Sequence, residues 1–392
     1  MTEKLYDLDS YVTEFDCKVT ELYSDEHKLY VVTDRTAFFP EGGGQTSDVG
    51  YLGDAYVEHV VIECGKIKHT VEKTKENMDK FSVGAVLHGK IDMEKRFSDM
   101  QQHTGEHIFS GIVHSLYGYD NVGFHLGKEE VTLDFNGTLE KEDVCKVEQL
   151  VNKAVWDNLE IKVFYPTEDE LNKINYRSKK EINEDLRLVE IPGVDICACC
   201  APHVKRTGEV GMVEVVSFMR HRGGTRLSIL CGERALCDIR KKLDENYMVS
   251  NLLASKETQT FEKVKKLKED NAKLGAKLQQ AKLELLKYKA ESIMPQKRIV
   301  EFTDLTDVNM LRDFADLISE KADELAAVFG GDGEYKYVII SKTGFDVNEL
   351  CKKLNAEFKG KGGGRGGIVQ GSLSLVNDCE NLRAAVMRFG LQ

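Results

Sequence analysis

Two short pairs of metal-binding residue types, widely separated in the chain, constrain this 392-residue sequence more than any other feature. His103 and His107 stand four positions apart, and so do Cys199 and His203. On a helix, residues at this spacing share one face, with their Cβ atoms about 5–6 Å apart. Three imidazoles and one thiolate form a ligand set that suits zinc. The sequence therefore predicts one Zn²⁺ per chain, in a fold that brings the two pairs together.

The identity of the sulfur ligand stays open at this point. Cys200 also lies within reach of His203, and Cys197 lies two residues before Cys199. A structural site with several thiolates is an alternative, although three histidines with one thiolate are less typical of such sites. Glu106 lies between the two histidines but not in the second position of His-Glu-x-x-His, so the metalloprotease motif is absent.

Composition indicates a globular chain in a reducing compartment. Ten cysteines among 392 residues, three of them clustered around Cys199, favour metal binding over a disulfide framework. The first residues lack the pattern of a signal peptide, and no apolar run approaches the roughly 18–20 residues that span a bilayer. We therefore expect a cytoplasmic protein without membrane contact. The net charge of −12 argues against a general nucleic-acid coat but allows a local basic groove.

Hydrophobic patterning divides the chain into four parts, and the expected fold class is a multidomain α+β protein. Residues 1–90 contain short alternating runs broken by turns, which predict a small β-barrel or sandwich. Residues 91–233 mix helices and strands, and a helix over 93–117 carries the histidine pair. Residues 234–294 have almost no strand signal. Residues 295–392 are typical of a small α/β domain.

The helical part contains a heptad seam, with residues alternately three and four positions apart from Val264 to Tyr288. This spacing predicts a coiled coil, so a homodimer through this segment or through the C-terminal domain is one expectation. A helix packed lengthwise on its own domain is the alternative.

In the C-terminal domain we expect a helix over 309–329 and a glycine-dense loop over 360–367. The glycines of this loop, with Lys361 and Arg365, bring backbone N–H groups and cations together, which suits an anion such as phosphate. The loop does not match a Gly-x₄-Gly-Lys-Ser/Thr motif, and a flexible turn is the alternative.

Several blocks together resemble a known family: the ligand pairs at 103–107 and 199–203, the following segment Val204–Gly211, the glycine-rich block Thr36–Gln45, the segment Gly223–Leu227, and the C-terminal glycines. They are similar to the editing domain and the C-terminal DHH-associated domain of alanyl-tRNA synthetase. Over nearly the whole chain, they resemble the long type of the free-standing AlaX proteins. One departure is that the family's Cys-Gly-Gly-Thr-His reads Cys199-Cys200-Ala201-Pro202-His203 here.

The resemblance implies a trans-editing hydrolase that deacylates alanine tRNA carrying a wrong amino acid, serine first and glycine as the alternative. In the family a threonine of the glycine-rich block is implicated in reading the serine hydroxyl. Thr36 occupies the matching position, Gln45 lies in the same block, and His125 is expected to line the pocket. A hydrogen bond to a hydroxyl discriminates better than shape alone. The C-terminal domain is expected to grip the tRNA through Lys361 and Arg365, in salt-sensitive contacts.

Two questions of function stay open from the sequence. Zinc can lower the pKa of a bound water to about 7, polarise the ester carbonyl, or anchor the substrate, and a catalytic zinc keeps one position open. The rival functions are a non-catalytic tRNA-binding module with a structural zinc and a zinc hydrolase for another aminoacyl-tRNA.

Overall fold

The computed structural model describes residues 2–127, 130–178, 186–374 and 378–390. The chain forms two compact units, divided between Met248 and Val249. The first unit contains a closed barrel, a two-stranded sheet of β1 and β4, and two larger sheets with helices, and the second contains a five-stranded sheet with helices. The chain is therefore a multidomain α+β protein, as the patterning predicts. The finer division at residues 90, 233 and 294 stays a prediction.

The N-terminal part of the first unit is built almost entirely of strands. Its elements are β1 (Glu3–Lys4), α1 (Leu5–Leu8), β2 (Glu14–Ser24), β3 (Lys28–Thr33), β4 (Arg35–Thr36), β5 (Gly50–Leu52), β6 (Ala55–Glu63), β7 (Lys66–Glu72), α2 (Lys75–Lys80) and β8 (Val86–Ile91). Six strands close into a barrel in the order β2-β3-β7-β6-β5-β8. In β2, Phe15, Cys17 and Val19 are buried while the residues between them are exposed. This period of two fills the barrel interior with apolar side chains.

Helix α3 (Met93–Tyr117) follows the barrel and has the bounds that the sequence predicts. Asp92 caps its first turn by accepting the backbone N–H of Lys95, and Gly118 ends it in the left-handed conformation, with φ of 68°. The side-chain amide of Gln102 exchanges two hydrogen bonds with the backbone of Cys231, at 2.8 and 2.9 Å. These bonds fix the rotation of α3 and therefore the direction of its histidine face.

Two sheets surround this helix. Their elements are β9 (Asn121–Leu126), β10 (Val131–Phe135), α4 (Lys141–Trp156), β11 (Lys162–Phe164), α5 (Glu168–Leu171), β12 (Leu188–Ile191), β13 (Asp195–Ala198), β14 (Val213–His221), β15 (Gly224–Cys231) and α6 (Gly232–Leu252). One sheet has the order β14-β15-β10-β9 and the other β11-β12-β13. Strand β13 matters most for the site because Cys199 directly follows it.

The second unit is an α/β domain preceded by a long helix. Its elements are α7 (Thr260–Ser292), β16 (Gln296–Thr303), α8 (Val308–Ser319), β17 (Ala322–Asp332), β18 (Glu334–Ile340), α9 (Val347–Glu357), β19 (Lys361–Arg365), β20 (Ile368–Leu373) and α10 (Cys379–Arg388). The strand order is β16-β17-β18-β20-β19. The seam residues Leu267, Leu274, Leu278 and Leu285 on α7 are exposed. The pairing of α7 with a second helix stays a prediction.

The predicted helix over 309–329 is wrong in its second half. Helix α8 ends at Ser319, and the chain continues as the interior strand β17. The run from Leu325 to Phe329 is buried throughout. A strand covered on both faces loses the alternating pattern, so its apolar run cannot be distinguished from a helix by period alone.

The predicted loop over 360–367 is also corrected, because residues 361–365 form the edge strand β19. Glycine is needed in this strand for packing: a Cβ on Gly362 would lie 2.4 Å from the hydroxyl oxygen of Tyr337. Only Gly366 and Gly367, both with positive φ, form the tight turn that joins β19 to β20. Among the described residues, no helix is long and apolar enough to cross a membrane.

Candidate metal centre

The structure brings the two predicted ligand pairs together. His103 and His107 lie on one face of α3, and Cys199 and His203 come from the segment after β13. One donor atom from each of the four lies within 4.8 Å of the others. Cys199 Sγ is 3.5 Å from His103 Nε2 and 3.4 Å from His203 Nε2. The three histidines are buried, with 2–3% of their surface exposed.

These distances fit a single zinc ion. With bonds of about 2.3 Å to sulfur and about 2.0–2.1 Å to nitrogen, a tetrahedral ion places its sulfur and nitrogen donors about 3.5–3.6 Å apart. The measured sulfur–nitrogen distances of 3.4 and 3.5 Å agree with this value. The donor set of imidazole and thiolate also matches the preference of zinc. The four residues could therefore hold the ion.

Each of the three histidines has a polar partner at its other ring nitrogen. Nδ1 of His103 lies 2.8 Å from the side-chain oxygen of Gln45, and Nδ1 of His203 lies 3.0 Å from the hydroxyl of Thr104. Nδ1 of His107 lies 3.3 Å from a carboxylate oxygen of Asp195, an ion-pair contact without the geometry of a hydrogen bond. Such partners hold a histidine in the tautomer that leaves Nε2 free for a metal.

Burial and neighbouring charge set the protonation of the cluster. Burial raises the pKa of the Cys199 thiol, but the neighbouring histidines, His103 first, outweigh burial and hold this pKa well below its ordinary value. Burial lowers the pKa of His203 to about 3, so its imidazole is neutral. Burial also acts to lower the pKa of His107, but Cys197 and other neighbours raise it well above its ordinary value. A thiolate beside a neutral imidazole suits metal binding, and a cation at His107 would displace a proton.

The two other cysteines of the cluster are placed differently from Cys199. Cys200 is exposed and does not belong to the four-donor group. Cys197 is buried and points into a separate group with His107 and Asp195. Among the described residues, Cys199 is thus the cysteine that joins the four-donor group.

A cavity of about 380 Å³ lies beside Gln45, and its other lining residues are Glu41, Gly42, Gly44, Thr46, Val61 and His125. Gln45 is only 1% exposed, and its amide Nε2 has no hydrogen-bond partner among the described residues. The side chain of His125 is exposed on β9. Two of the predicted site residues, Gln45 and His125, therefore line one cavity.

Thr36, on β4, is buried against the barrel strand β7. Its hydroxyl lies 2.8 Å from Nε2 of His69 and accepts the backbone N–H of Phe38, at 3.1 Å. The Nδ1 atom of His69 lies 2.9 Å from the carbonyl oxygen of Val31, so Nδ1 donates there and Nε2 accepts the Thr36 proton. Thr36 has no exposed surface. The structure does not bring it into the four-donor group or the cavity beside Gln45.

The two predicted tRNA contacts lie in the second unit, on the exposed edge strand β19. Lys361 and Arg365 are four residues apart on this strand, so their side chains emerge from the same face. Both side chains are exposed.

Three polar residues of this region are missing from the sequence prediction. Thr104 and Asp195 contact ligand histidines, and Arg177 binds Asp195. Thr104 and His203 are separated by 99 positions, and only folding reveals their contact. One weak signal could have indicated Asp195, because it lies four residues before Cys199, at the start of the short strand that leads to this ligand.

Three family models match parts of the chain. They describe tRNA synthetases class II (A) over residues 10–95, the threonyl and alanyl tRNA synthetase second additional domain over 186–227, and the DHHA1 domain over 296–389.

Similar proteins have names that agree with these matches. The alanyl-tRNA editing protein AlaX-L of Pyrococcus horikoshii is 27% identical over 95% of this chain and 94% of its own length. An alanine–tRNA ligase of Ignicoccus hospitalis is 28% identical over 93% of this chain but 40% of its own length. The alanyl-tRNA editing protein AlaX-M of Methanosarcina acetivorans is 33% identical over 55% of this chain and 92% of its own length. The chain therefore belongs to the AlaX family of alanyl-tRNA editing proteins, in its long type.

Proposed function

We propose that this protein hydrolyses the ester bond between alanine tRNA and a wrong amino acid, serine first and glycine as the alternative. The observation that carries the proposal is the buried group of His103, His107, Cys199 and His203, next to a cavity with an unpaired donor. The names of the similar editing proteins supply the substrate class. The reaction adds water across the ester and releases the free amino acid and the tRNA.

The four residues of the cluster would hold one zinc ion. A bound zinc ion supplies Lewis acidity, which polarises an ester carbonyl or a water and stabilises negative charge. The protein contributes the fixed positions of the donors. Gln45 and Thr104 hold His103 and His203 so that Nε2 of each faces the Cys199 sulfur, and Asp195 lies beside Nδ1 of His107.

Gln45 is the second element of the proposal. Its side-chain oxygen faces Nδ1 of His103, so the opposite end of the amide, the NH₂ group, is the end without a partner. An unpaired buried donor costs about 1–3 kcal/mol, so its presence needs an explanation. We assign it to the substrate, where it donates to the carbonyl oxygen of the ester or to the serine hydroxyl.

The cavity beside Gln45 is large enough for an aminoacyl group, with a volume of about 380 Å³. His125 lies on its exposed border, in a position to contact the terminal adenosine. A pocket that accepts alanine and serine by shape alone separates them by only about 1–3 kcal/mol. A hydrogen bond that only serine can make is therefore the more effective filter. Thr36 remains the candidate that the family resemblance supplies for this bond, and Gln45 is the candidate that its position supports.

The experiment is a deacylation assay on alanine tRNA charged with serine, glycine or alanine, and on other serine-charged tRNAs. We expect hydrolysis of serine-charged alanine tRNA, with alanine spared. His103→Ala and Cys199→Ala should lose zinc and at least about 100-fold in rate, because each removes a ligand. Cys200→Ala is the matched control for Cys199→Ala and should keep both zinc and activity.

Two outcomes would contradict the proposal. Zinc binding without hydrolysis of any charged tRNA would favour a structural zinc in a tRNA-binding module, and the four protein donors suit that alternative as well. Faster hydrolysis of another aminoacyl-tRNA would instead indicate a zinc hydrolase with a different substrate.

For tRNA binding we propose that Lys361 and Arg365 contact phosphates. The double variant Lys361→Ala/Arg365→Ala should weaken tRNA affinity several-fold and reduce the salt dependence of binding, because each lost phosphate contact lowers the slope of log affinity against log salt by roughly 0.7–0.9. Lys273→Ala/Lys277→Ala on α7 removes the same charge and is the control. If both double variants weakened tRNA affinity equally, β19 would contribute only through the overall charge of the protein and not through specific phosphate contacts.

A further inference from the structure

Asp195 and Arg177 form a buried ion pair directly behind one of the candidate ligands. Arg177 Nε is 2.8 Å from one carboxylate oxygen of Asp195, and Arg177 Nη2 is 2.8 Å from the other. The second of these oxygens is also 3.3 Å from Nδ1 of His107. The side chains are 2% exposed for Asp195 and 12% for Arg177. A carboxylate buried to this degree needs a partner, and a forked guanidinium is the strongest one available in a protein.

The backbone around this pair is held on both sides. Arg177 donates its N–H to the carbonyl of Ile196 at 2.8 Å and accepts the N–H of Ala198 at 2.9 Å. The residue is therefore bridged to β13, the strand that begins with Asp195 and leads to Cys199. The same segment thus supplies a candidate metal ligand and the carboxylate behind another.

Helix α3 has a glycine, and therefore no side chain, at the point where β13 approaches it. Gly111 lies on α3 one turn after His107, and a Cβ there would lie 2.6 Å from both Asp195 Cβ and the carbonyl oxygen of Val194. The absence of a side chain lets β13 approach the helix closely enough for Asp195 to face His107. Three separate features, Gly111, the bridge to Arg177 and the forked ion pair, therefore converge on one carboxylate.

We propose that Asp195 and Arg177 are positioning residues for zinc binding: Asp195 fixes the ring of His107 through Nδ1, and Arg177 fixes Asp195. The proposal rests on the metal site of the proposed function. Arg177 binds both carboxylate oxygens of Asp195 and so fixes the orientation of the carboxylate. The oxygen near His107 can then accept the Nδ1 proton from one direction only. The Nε2 atom of His107 then carries its lone pair toward the other three donors.

A rival interpretation uses the same residues. Donor atoms of His107, Asp195 and Cys197 lie within 4.8 Å of one another, which would allow a second metal ion. The guanidinium of Arg177 opposes a cation there because it already occupies both carboxylate oxygens. The positioning role therefore requires one zinc per chain, and the rival requires two.

The test measures zinc affinity of the full chain by chelator competition, zinc content, and the visible absorption spectrum of the cobalt-substituted protein. Asp195→Asn should lower zinc affinity by roughly 10–100-fold, keep the capacity of one ion per chain, and shift the cobalt bands. The matched control is Asp134→Asn, which removes the forked pair between Asp134 and Arg226 on β10 and β15. The control should leave affinity and spectrum unchanged.

Arg177 allows a second test that does not depend on the folding of one variant. It lines a cavity of about 610 Å³ together with Asp195, so a small solute can reach the space that Arg177→Ala would leave. Zinc affinity of Arg177→Ala should fall in the same direction as that of Asp195→Asn. Added ethylguanidinium should restore it, whereas ethylammonium, which lacks the planar fork, should restore less. Ethylguanidinium should not rescue Asp195→Asn.

Several results would overturn the positioning role. One is an Asp195→Asn variant with the zinc affinity and cobalt spectrum of the wild type, and another is an equal loss of zinc affinity in Asp134→Asn. The others are a failure of ethylguanidinium to restore the zinc affinity of Arg177→Ala, and a second bound zinc ion in the wild type that Asp195→Asn no longer binds. Because these readouts do not use tRNA, they separate this proposal from the proposed function. A wild-type chain that binds no zinc defeats the metal site itself, whereas one that binds zinc but hydrolyses no ester defeats only the catalytic proposal.

Discussion

His69 in the barrel and His103 on α3 are both buried histidines with a polar partner from the block Thr36–Gln45, yet their surroundings differ in one respect. The two ring nitrogens of His69 meet a backbone carbonyl and the hydroxyl of Thr36, so both are satisfied by neutral groups. In His103, Gln45 satisfies one nitrogen and the other faces the thiol group of Cys199. The second nitrogen therefore separates a histidine that supports the fold from one that can bind a metal.

The same comparison applies to the two partners. Thr36 uses its one proton for His69 and accepts a backbone N–H, so its hydroxyl has no donor left. Gln45 uses one end of its amide for His103 and leaves the other without a partner among the described residues. Of these two polar residues in one sequence block, only Gln45 has a hydrogen-bond donor left for a substrate.

The largest effect should follow from removing the free donor of Gln45. Gln45→Glu keeps an oxygen for His103 but replaces the NH₂ group, and we expect the deacylation rate to fall roughly 100–1,000-fold, as for the loss of a donor to a developing oxyanion. Zinc content should change little, since the four ligands remain. The rate of hydrolysis of serine-charged alanine tRNA, measured beside zinc content, checks this.

A matched change sharpens the result. Thr46→Val alters a neighbouring residue of the same cavity and should have a much smaller effect on the rate. If Gln45→Glu lost zinc in proportion to activity, Gln45 would act only by holding His103. The inference that Gln45, unlike Thr36, contacts the substrate would then be wrong.

The next effect concerns stability rather than rate. Burial lowers the pKa of His69 to about 4, below its ordinary value of 6.5. Below pH 6.5 the unfolded chain therefore binds a proton at this histidine that the folded chain does not bind. The stability that neutral His69 contributes is complete above pH 6.5 and is lost as the pH falls toward 4. The loss amounts to about 3 kcal/mol over that interval.

The measurement is the free energy of unfolding of the N-terminal unit in urea as a function of pH, for the wild type and His69→Gln. The difference between the two should shrink as the pH falls from 6.5 to 4, because only the wild type carries this histidine. A constant difference would mean that folding does not lower the pKa of His69, and the contrast with His103 would then fail.

The candidate ligands and the helix that carries two of them could be predicted because their signals are local. The pairs are at helical spacing, and α3 is bounded by Asp92 and Gly118, which have the residue types expected at its two ends. The partner contacts could not be predicted, since Gln45 and His103 are 58 positions apart. Strand β17 was missed for a different reason, namely that a strand buried on both faces has no alternation to detect.

The smallest expected effect belongs to Thr36→Val, which removes a hydroxyl with little change of shape. It leaves His69 Nε2 without a donor and the N–H of Phe38 without an acceptor, and a buried unsatisfied group costs about 1–3 kcal/mol. Because Thr36 has no exposed surface, we expect lower stability with an unchanged ratio of serine to alanine deacylation. Thr33→Val, which removes another buried hydroxyl of the barrel, is the control for general destabilisation. If Thr36→Val alone lost its preference for serine over alanine in the deacylation rates, Thr36 would be the residue that recognises the serine hydroxyl, as the family resemblance implies. The barrel would then have to open for the substrate to reach Thr36.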